Sequence, residues 1–192
     1  MKDIRIERTN CPKAHPDPAH LGFGRYFTDH MFLMDYSAEE GWQDARIVPF
    51  GSLSLHPAST VLHYGTEIFE GLKAYRRADG RVQLFRPEEN ARRLNNSARR
   101  LCLPTIPEED FLHILDTFVG TEKDWTPDLP GTSLYLRPFL YGADETLGVH
   151  AVSRATFCVI ASPVGSYYKN GLEPVGILIE DGDVRAVRGG TG

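Results

Sequence analysis

Residues 72–120 read LKAYRRADGRVQLFRPEENARRLNNSARRLCLPTIPEEDFLHILDTFVG, and the order of patterns in this stretch decides the fold. Two short β-prone runs, Leu72–Arg76 and Val82–Arg86, flank Arg77-Ala78-Asp79-Gly80-Arg81. Asp and Gly both tolerate φ > 0, so the pair between two such runs predicts a hairpin. A helix follows: Pro87 suits a first helical position, and Glu88 and Glu89 lie where the helix dipole favours negative charge. Ala91, Leu94, Ala98 and Leu101 then recur at helical spacing until Pro104. Pro107-Glu108-Glu109-Asp110 opens a second helix with a buried stripe of Phe111, Leu112, Leu115, Phe118 and Val119, and Gly120 as its expected C-terminal cap.

Working outward, strand-like runs precede this block at Phe27–Tyr36, Arg46–Leu55 and Thr60–Tyr64. Others follow it at Ser133–Tyr141, Thr156–Ser162, Val175–Glu180 and Asp183–Val187. Strands, then two helices, then strands do not alternate as βαβαβ units would, so the expected class is α+β. The first 25 residues, rich in Pro, His and charge, read as an irregular N-terminal arm. Residues 163–172 have linker composition, which separates a domain spanning 26–162 from the 20 residues at 173–192.

Composition narrows the function classes. The 192 residues are 41% hydrophobic and 24% charged, so a packed globular core is expected and disorder is not. A net charge of −5 gives no general attraction to nucleic acid or an anionic membrane. No apolar run approaches the roughly 20 residues that span a bilayer, and the first residues lack the apolar segment of a secretory signal. Three widely separated cysteines (Cys11, Cys102, Cys158) argue against a disulfide framework and for a reducing cytoplasm.

Residues that could carry chemistry are few. Eight arginines against three acidic residues give the 76–100 segment a charge of about +5. Such density suits a phosphate or nucleic-acid site, or else a solvated helix face. The helical wheel puts Arg93 and Arg100 on one flank of the apolar stripe and Arg92 and Arg99 on another, and leaves the choice open. The seven histidines form no HExxH motif and the cysteines no CxxC pair, so no metal site is expected. His30, His56 and His63 read as structural residues. Gly189-Gly190-Thr191-Gly192 lacks the Lys-Ser/Thr of a nucleotide-binding loop. Tyr135 and Arg137 share one face of a strand. An Arg beside a phenol there either grips a carboxylate bidentately or simply stacks at the surface.

Taken together, seven ordered segments resemble branched-chain amino acid aminotransferases. They are Phe23-Gly24-x-x-Phe27-Thr28-Asp29-His30-Met31, Leu53-Ser54-Leu55-His56-Pro57 and Leu62-His63-Tyr64-Gly65-Thr66-Glu67-Ile68-Phe69-Glu70-Gly71-Leu72-Lys73-Ala74-Tyr75. Phe85-x-Pro87-x-x-Asn90-x-x-Arg93-Leu94-x-x-Ser97, Ser133-Leu134-Tyr135-Leu136-Arg137-Pro138, Leu147-Gly148-Val149 and Ser162-Pro163-Val164-Gly165-x-Tyr167 complete the set. The resemblance runs in register from about residue 20 to Gly192. It implies the fold of type IV pyridoxal-phosphate enzymes, with 26–162 as the small domain and 173–192 as the start of a large one.

The implied reaction is reversible amino transfer between leucine, isoleucine or valine and 2-oxoglutarate or glutamate, with pyridoxal 5'-phosphate as cofactor. By the same resemblance Arg93 binds the cofactor phosphate. Phe23, Tyr64, Phe69, Tyr135 and Tyr167 form aromatic walls of the substrate pocket, and Arg137 receives the distal carboxylate of glutamate. Val149 reaches a neighbouring subunit's site, which implies a homodimer. In the family, a Schiff-base lysine lies three residues beyond the last glycine of Gly-Gly-Thr-Gly. None of the five lysines here (2, 13, 73, 123, 169) matches that place. The expectation is therefore an N-terminal part of the enzyme, inactive by itself. Other type IV enzymes, such as a D-amino-acid aminotransferase or an aminodeoxychorismate lyase, are the alternative reading. A non-enzymatic anion- or nucleic-acid-binding domain is a remoter one.

Overall fold

The computed structural model describes residues 3–168, 173–182 and 188. The predicted hairpin is present as β5 (Leu72–Arg76) and β6 (Val82–Leu84), with Gly80 at φ +81° in the connecting turn. The two helices follow as α2 (Pro87–Arg100) and α3 (Glu108–Thr121). Before them come β1 (Arg5–Ile6), β2 (His30–Ser37), β3 (Gly41–Pro49), a short α1 (Thr60–Tyr64) and β4 (Glu67–Phe69). After them come β7 (Ser133–Gly142) and β8 (Arg154–Val164).

Among the described residues the strands form one sheet in the order β1-β3-β2-β8-β7-β5-β6, with β4 pairing separately with β7. Every one of these pairings is antiparallel except that of β1 with β3. The α+β class is thus the observed one.

Alternation along the long central strands sends side chains to two faces. Leu134, Leu136 and Leu140 of β7 and Phe157, Val159 and Ala161 of β8 face the helices. There they pack with Leu94 and Ala98 of α2 and Phe111, Leu115 and Phe118 of α3 in one core. Asn95, buried within α2, completes this layer: its amide donates to the Ile106 carbonyl at 2.7 Å and its carbonyl accepts from the Ile106 N–H at 2.9 Å. It thereby satisfies the buried backbone where the chain crosses between the helices.

The structure departs from the sequence reading at several places. Thr60–Tyr64, expected as a strand, is a helix. Gly65 ends it at φ +59° with its N–H on the Val61 carbonyl, and the Thr60 N–H is held by the Asp144 carbonyl. Five β-prone residues can be overridden by such local closure, because β propensity mainly reflects a half-buried pleated setting. Gly120 is not a cap; α3 continues to Thr121, and the Glu122 N–H closes on the Phe118 carbonyl. Leu101 caps α2 at the surface and leaves that helix's stripe; in α3, Ile114 joins the buried stripe and Leu112 is only half-buried.

The N-terminal arm is irregular apart from β1 and a 3-10 turn at Pro18–His20. Pro163 and Val164, placed in the expected linker, extend β8 and pair with Leu134 and Ser133. The strand expected at Val175–Glu180 is not formed: Ile177, Leu178 and Ile179 are 83–90% exposed, with no apolar face to bury against. The strand expected at Asp183–Val187 lies outside the described residues.

Candidate active site

The face of the sheet turned away from the helices carries the candidate site. Tyr135 and Arg137, two apart on β7, do project together: the Arg137 Nη2 donates to the Tyr135 hydroxyl at 2.9 Å. Phe69 stands opposite Phe139 in the β4–β7 pairing and so shares this face. Its ring lies 4.4 Å from the Arg137 guanidinium carbon, a cation–π stack. Phe23 arrives from a loop with Gly22 at φ +64° and Gly24 at φ +66°, pinned to the end of β8 by the Gly165 N–H on the Gly22 carbonyl at 2.9 Å. Its ring centroid is 5.0 Å from that of Tyr135 and 5.2 Å from that of Tyr167. Phe23, Tyr135 and Arg137, with Ile160 and Ser162, border a cleft of about 240 Å³. Buried beside it, Arg137 Nε has no hydrogen-bond partner among the described residues, an unusual state for a charged donor.

Arg93 reaches the same region through a short strap. The buried Glu70 carboxylate accepts from Arg93 Nε and Nη2, each at 2.6 Å, and from Asn90 Nδ2 at 2.8 Å. Hydrogen bonding to Glu70, and then its charge, hold the Arg93 guanidinium more firmly protonated than usual. The next residue, Gly71, lies against Tyr135: a Cβ there would sit 2.4 Å from the phenol oxygen. Arg93, Glu70, Gly71, Tyr135 and Arg137 thus form one continuous chain of contacts.

Tyr64 and Val149 belong to a second group. The Tyr64 hydroxyl donates to the Leu147 carbonyl, which draws the 145–149 loop onto α1. The base of that loop is clamped by buried Asp144, which accepts from the Ser153 and Arg154 N–H groups at 3.1 Å and from the Ser153 hydroxyl. Val149 projects from it 86% exposed.

Other arginines of the 76–100 segment are engaged elsewhere: Arg77, for one, meets Gln83 and Asp79. Arg76 donates to the Lys123, Thr126 and Gly80 carbonyls. Arg81 pairs with Asp79, Arg86 and Arg92 pair with Glu89, and Arg99 meets Asn96. His30 is structural: its Nδ1 meets Glu122 at 2.5 Å and its Nε2 accepts the Thr9 N–H at 2.9 Å, tying the arm to the domain. Among the described residues no group of His, Cys, Asp or Glu could hold a metal ion. No described helix is long and apolar enough to cross a membrane. Glu70 and Gly71 escaped the sequence reading as site residues, since no spacing rule joins them to Arg93 and Tyr135.

A single sheet with two helices on one face matches the fold of the fold type IV branched-chain aminotransferases. It superposes on a branched-chain aminotransferase from Thermoproteus uzoniensis with a TM-score of 0.58 at 23% identity, over 73% of this chain and 43% of that one. It also superposes on the T.th. branched-chain aminotransferase complexed with N-(5'-phosphopyridoxyl)-L-glutamate, with a TM-score of 0.53 at 27% identity, over 68% of this chain and 40% of that one. No protein-family model matches the chain. Its sequence is 54% identical over 189 residues to branched-chain-amino-acid aminotransferase 2 of Bacillus subtilis, covering 98% of this chain and 52% of that protein. The chain is similar throughout to branched-chain aminotransferases and spans about half the length of the curated relatives it matches.

Proposed function

We propose that the protein carrying this chain catalyses reversible amino transfer between leucine, isoleucine or valine and 2-oxoglutarate. Its cofactor is pyridoxal 5'-phosphate, and it works in the cytoplasm as a homodimer with shared sites. The names of its relatives, and the phosphopyridoxyl-glutamate bound by the T.th. enzyme, support the substrate class and the cofactor. When bound, the cofactor supplies an electron sink at the substrate Cα.

This chain's residues fit that group. A guanidinium has five N–H donors; Glu70 takes one on Nε and one on Nη2, and the rest remain for a phosphate on a side chain that is 67% exposed. Phe23, Phe69, Tyr135 and Tyr167 bind the aliphatic side chain by excluding water, a gain of about 0.8 kcal/mol per CH₂ buried. Tyr64 extends that wall, and Val149 reaches the neighbouring subunit. Arg137 receives the distal carboxylate of glutamate or 2-oxoglutarate.

The observation that carries the reading is Arg137, held by Tyr135 and Phe69 beside an apolar cleft with its buried Nε unpartnered among the described residues, and joined to Arg93 by a continuous path of contacts. A planar donor held by Tyr135 and Phe69 suits bidentate carboxylate binding, yet it leaves a hydrocarbon side chain an apolar surface to lie on. The test is Arg137→Ala in the whole protein. KM for 2-oxoglutarate should rise about tenfold or more, the loss of a charge-assisted pair, while kcat/KM for leucine changes far less. Equal losses for both substrates, or none for either, would overturn the assignment.

A further inference from the structure

We propose that Glu70 is a positioning residue that presets Arg93 for a phosphate monoester, so that recognition rests on aimed N–H donors and not on net positive charge. The inference rests on the reading of Arg93 given above. A carboxylate whose side chain is 2% exposed is held from several sides: its backbone N–H donates to the Pro138 carbonyl at 2.8 Å, and its oxygens accept from Asn90 and from two nitrogens of Arg93. Glu70 therefore cannot follow Arg93; Arg93 must follow Glu70. The Arg93 side chain is itself 67% exposed. Without that anchor a long exposed side chain samples many rotamers and loses that freedom on meeting a ligand.

The buried carboxylate also cancels the arginine's charge at the site. Two opposite expectations follow for Glu70→Gln. If net charge governed phosphate binding, removing the carboxylate would tighten it. If aim governs, the amide sets its own N–H against one of the two Arg93 donors, Nε or Nη2, the fork is lost, and binding weakens.

The measurement is the ratio of dissociation constants for pyridoxal and pyridoxal 5'-phosphate, by equilibrium dialysis on the cofactor-stripped whole protein. The ratio isolates the phosphate contribution from any loss of affinity for the ring that both ligands share. For Glu70→Gln it should fall about tenfold, the worth of one charge-assisted hydrogen bond, and Glu70→Asp should recover part of it. For Arg93→Ala it should fall further. Should Glu70→Gln not fold, Asn90→Ala removes one of the carboxylate's supports and should lower the ratio to a smaller extent. A ratio unchanged or raised in Glu70→Gln while Arg93→Ala lowers it would overturn the role of Glu70 alone. A ratio unchanged in Arg93→Ala would overturn the phosphate assignment and the inference with it.

Discussion

Gly71 is the tightest point between the strap and the aromatic face of the sheet, and replacing it with alanine tests whether that closeness matters. Its φ is not in the positive region, so alanine meets no backbone penalty and any effect is steric. The new Cβ would lie 2.4 Å from the Tyr135 hydroxyl oxygen, 3.1 Å from Cζ and 3.3 Å from Cε2. Restoring ordinary contact requires the phenol to retreat by about 1 Å. That displacement breaks the 2.9 Å bond from Arg137, because hydrogen bonds fade beyond about 3.5 Å. Overpacking costs about 1–3 kcal/mol, so we expect a loss near ~2 kcal/mol. A misplacement of this size also costs up to about a hundredfold in turnover. Urea unfolding of Gly71→Ala, Tyr135→Phe and the double variant separates the causes. Removing the hydroxyl deletes the shortest contact, so Gly71→Ala should cost about 1 kcal/mol less in the Phe background. Equal cost in both backgrounds, or a wild-type midpoint for Gly71→Ala, would refute the steric argument.

Two further outcomes concern the scaffold. Asn95→Ala should lower stability by about 2–3 kcal/mol in urea unfolding, because the Ile106 N–H and carbonyl are left unsatisfied in a buried setting; exposed Asn96→Ala should stay within about 0.5 kcal/mol of wild type. Burial pushes the Cys158 thiol up to about 12 from 9.0. Its unfolded form loses the proton first, so stability is undiminished below pH 9 and declines from there towards pH 12, by up to about 1.4 kcal/mol per pH unit. Cys158→Ala should flatten that decline in chemical denaturation between about pH 8 and 11, and an unchanged slope would count against the buried thiol as its source.

The parts of the fold legible from sequence are those set by near neighbours. Asp79-Gly80 makes the turn by its own backbone preferences, and Pro87 with Glu88 and Glu89 starts α2 from within its first turn. The helix end at Thr121 escapes local rules because its determinant is distant: Glu122 is held by His30 and the Asp29 N–H, 92 and 93 residues away. Strand order is likewise unreadable from local pattern, since β2 lies beside β8, with Leu33 opposite Cys158. The apolar run at 175–179 shows the converse error. Its composition suits a strand, but a strand exists only by pairing.

The candidate site divides along the same line. Tyr135 and Arg137 are legible as partners because strand alternation is a two-residue rule, and the 2.9 Å bond between them follows from it. Arg93 is distinguishable from its seven neighbours only by resemblance, because periodicity reports which flank a residue occupies and not what waits there. What separates it physically is the destination of each charge. Arg81, Arg86 and Arg99 meet partners within three residues, and Arg92 meets Glu89 and Glu108, all in exposed settings, where ion pairs contribute little. Arg93 alone among these meets a buried carboxylate 23 residues away. Burying that charge is costly unless it is fully paired, so Glu70 makes sense only with Arg93 and Asn90 in place. The same pairing ties the arginine to the residue before Gly71, which packs on Tyr135. A residue that looks like one cation among eight is thus the one whose position a buried charge dictates.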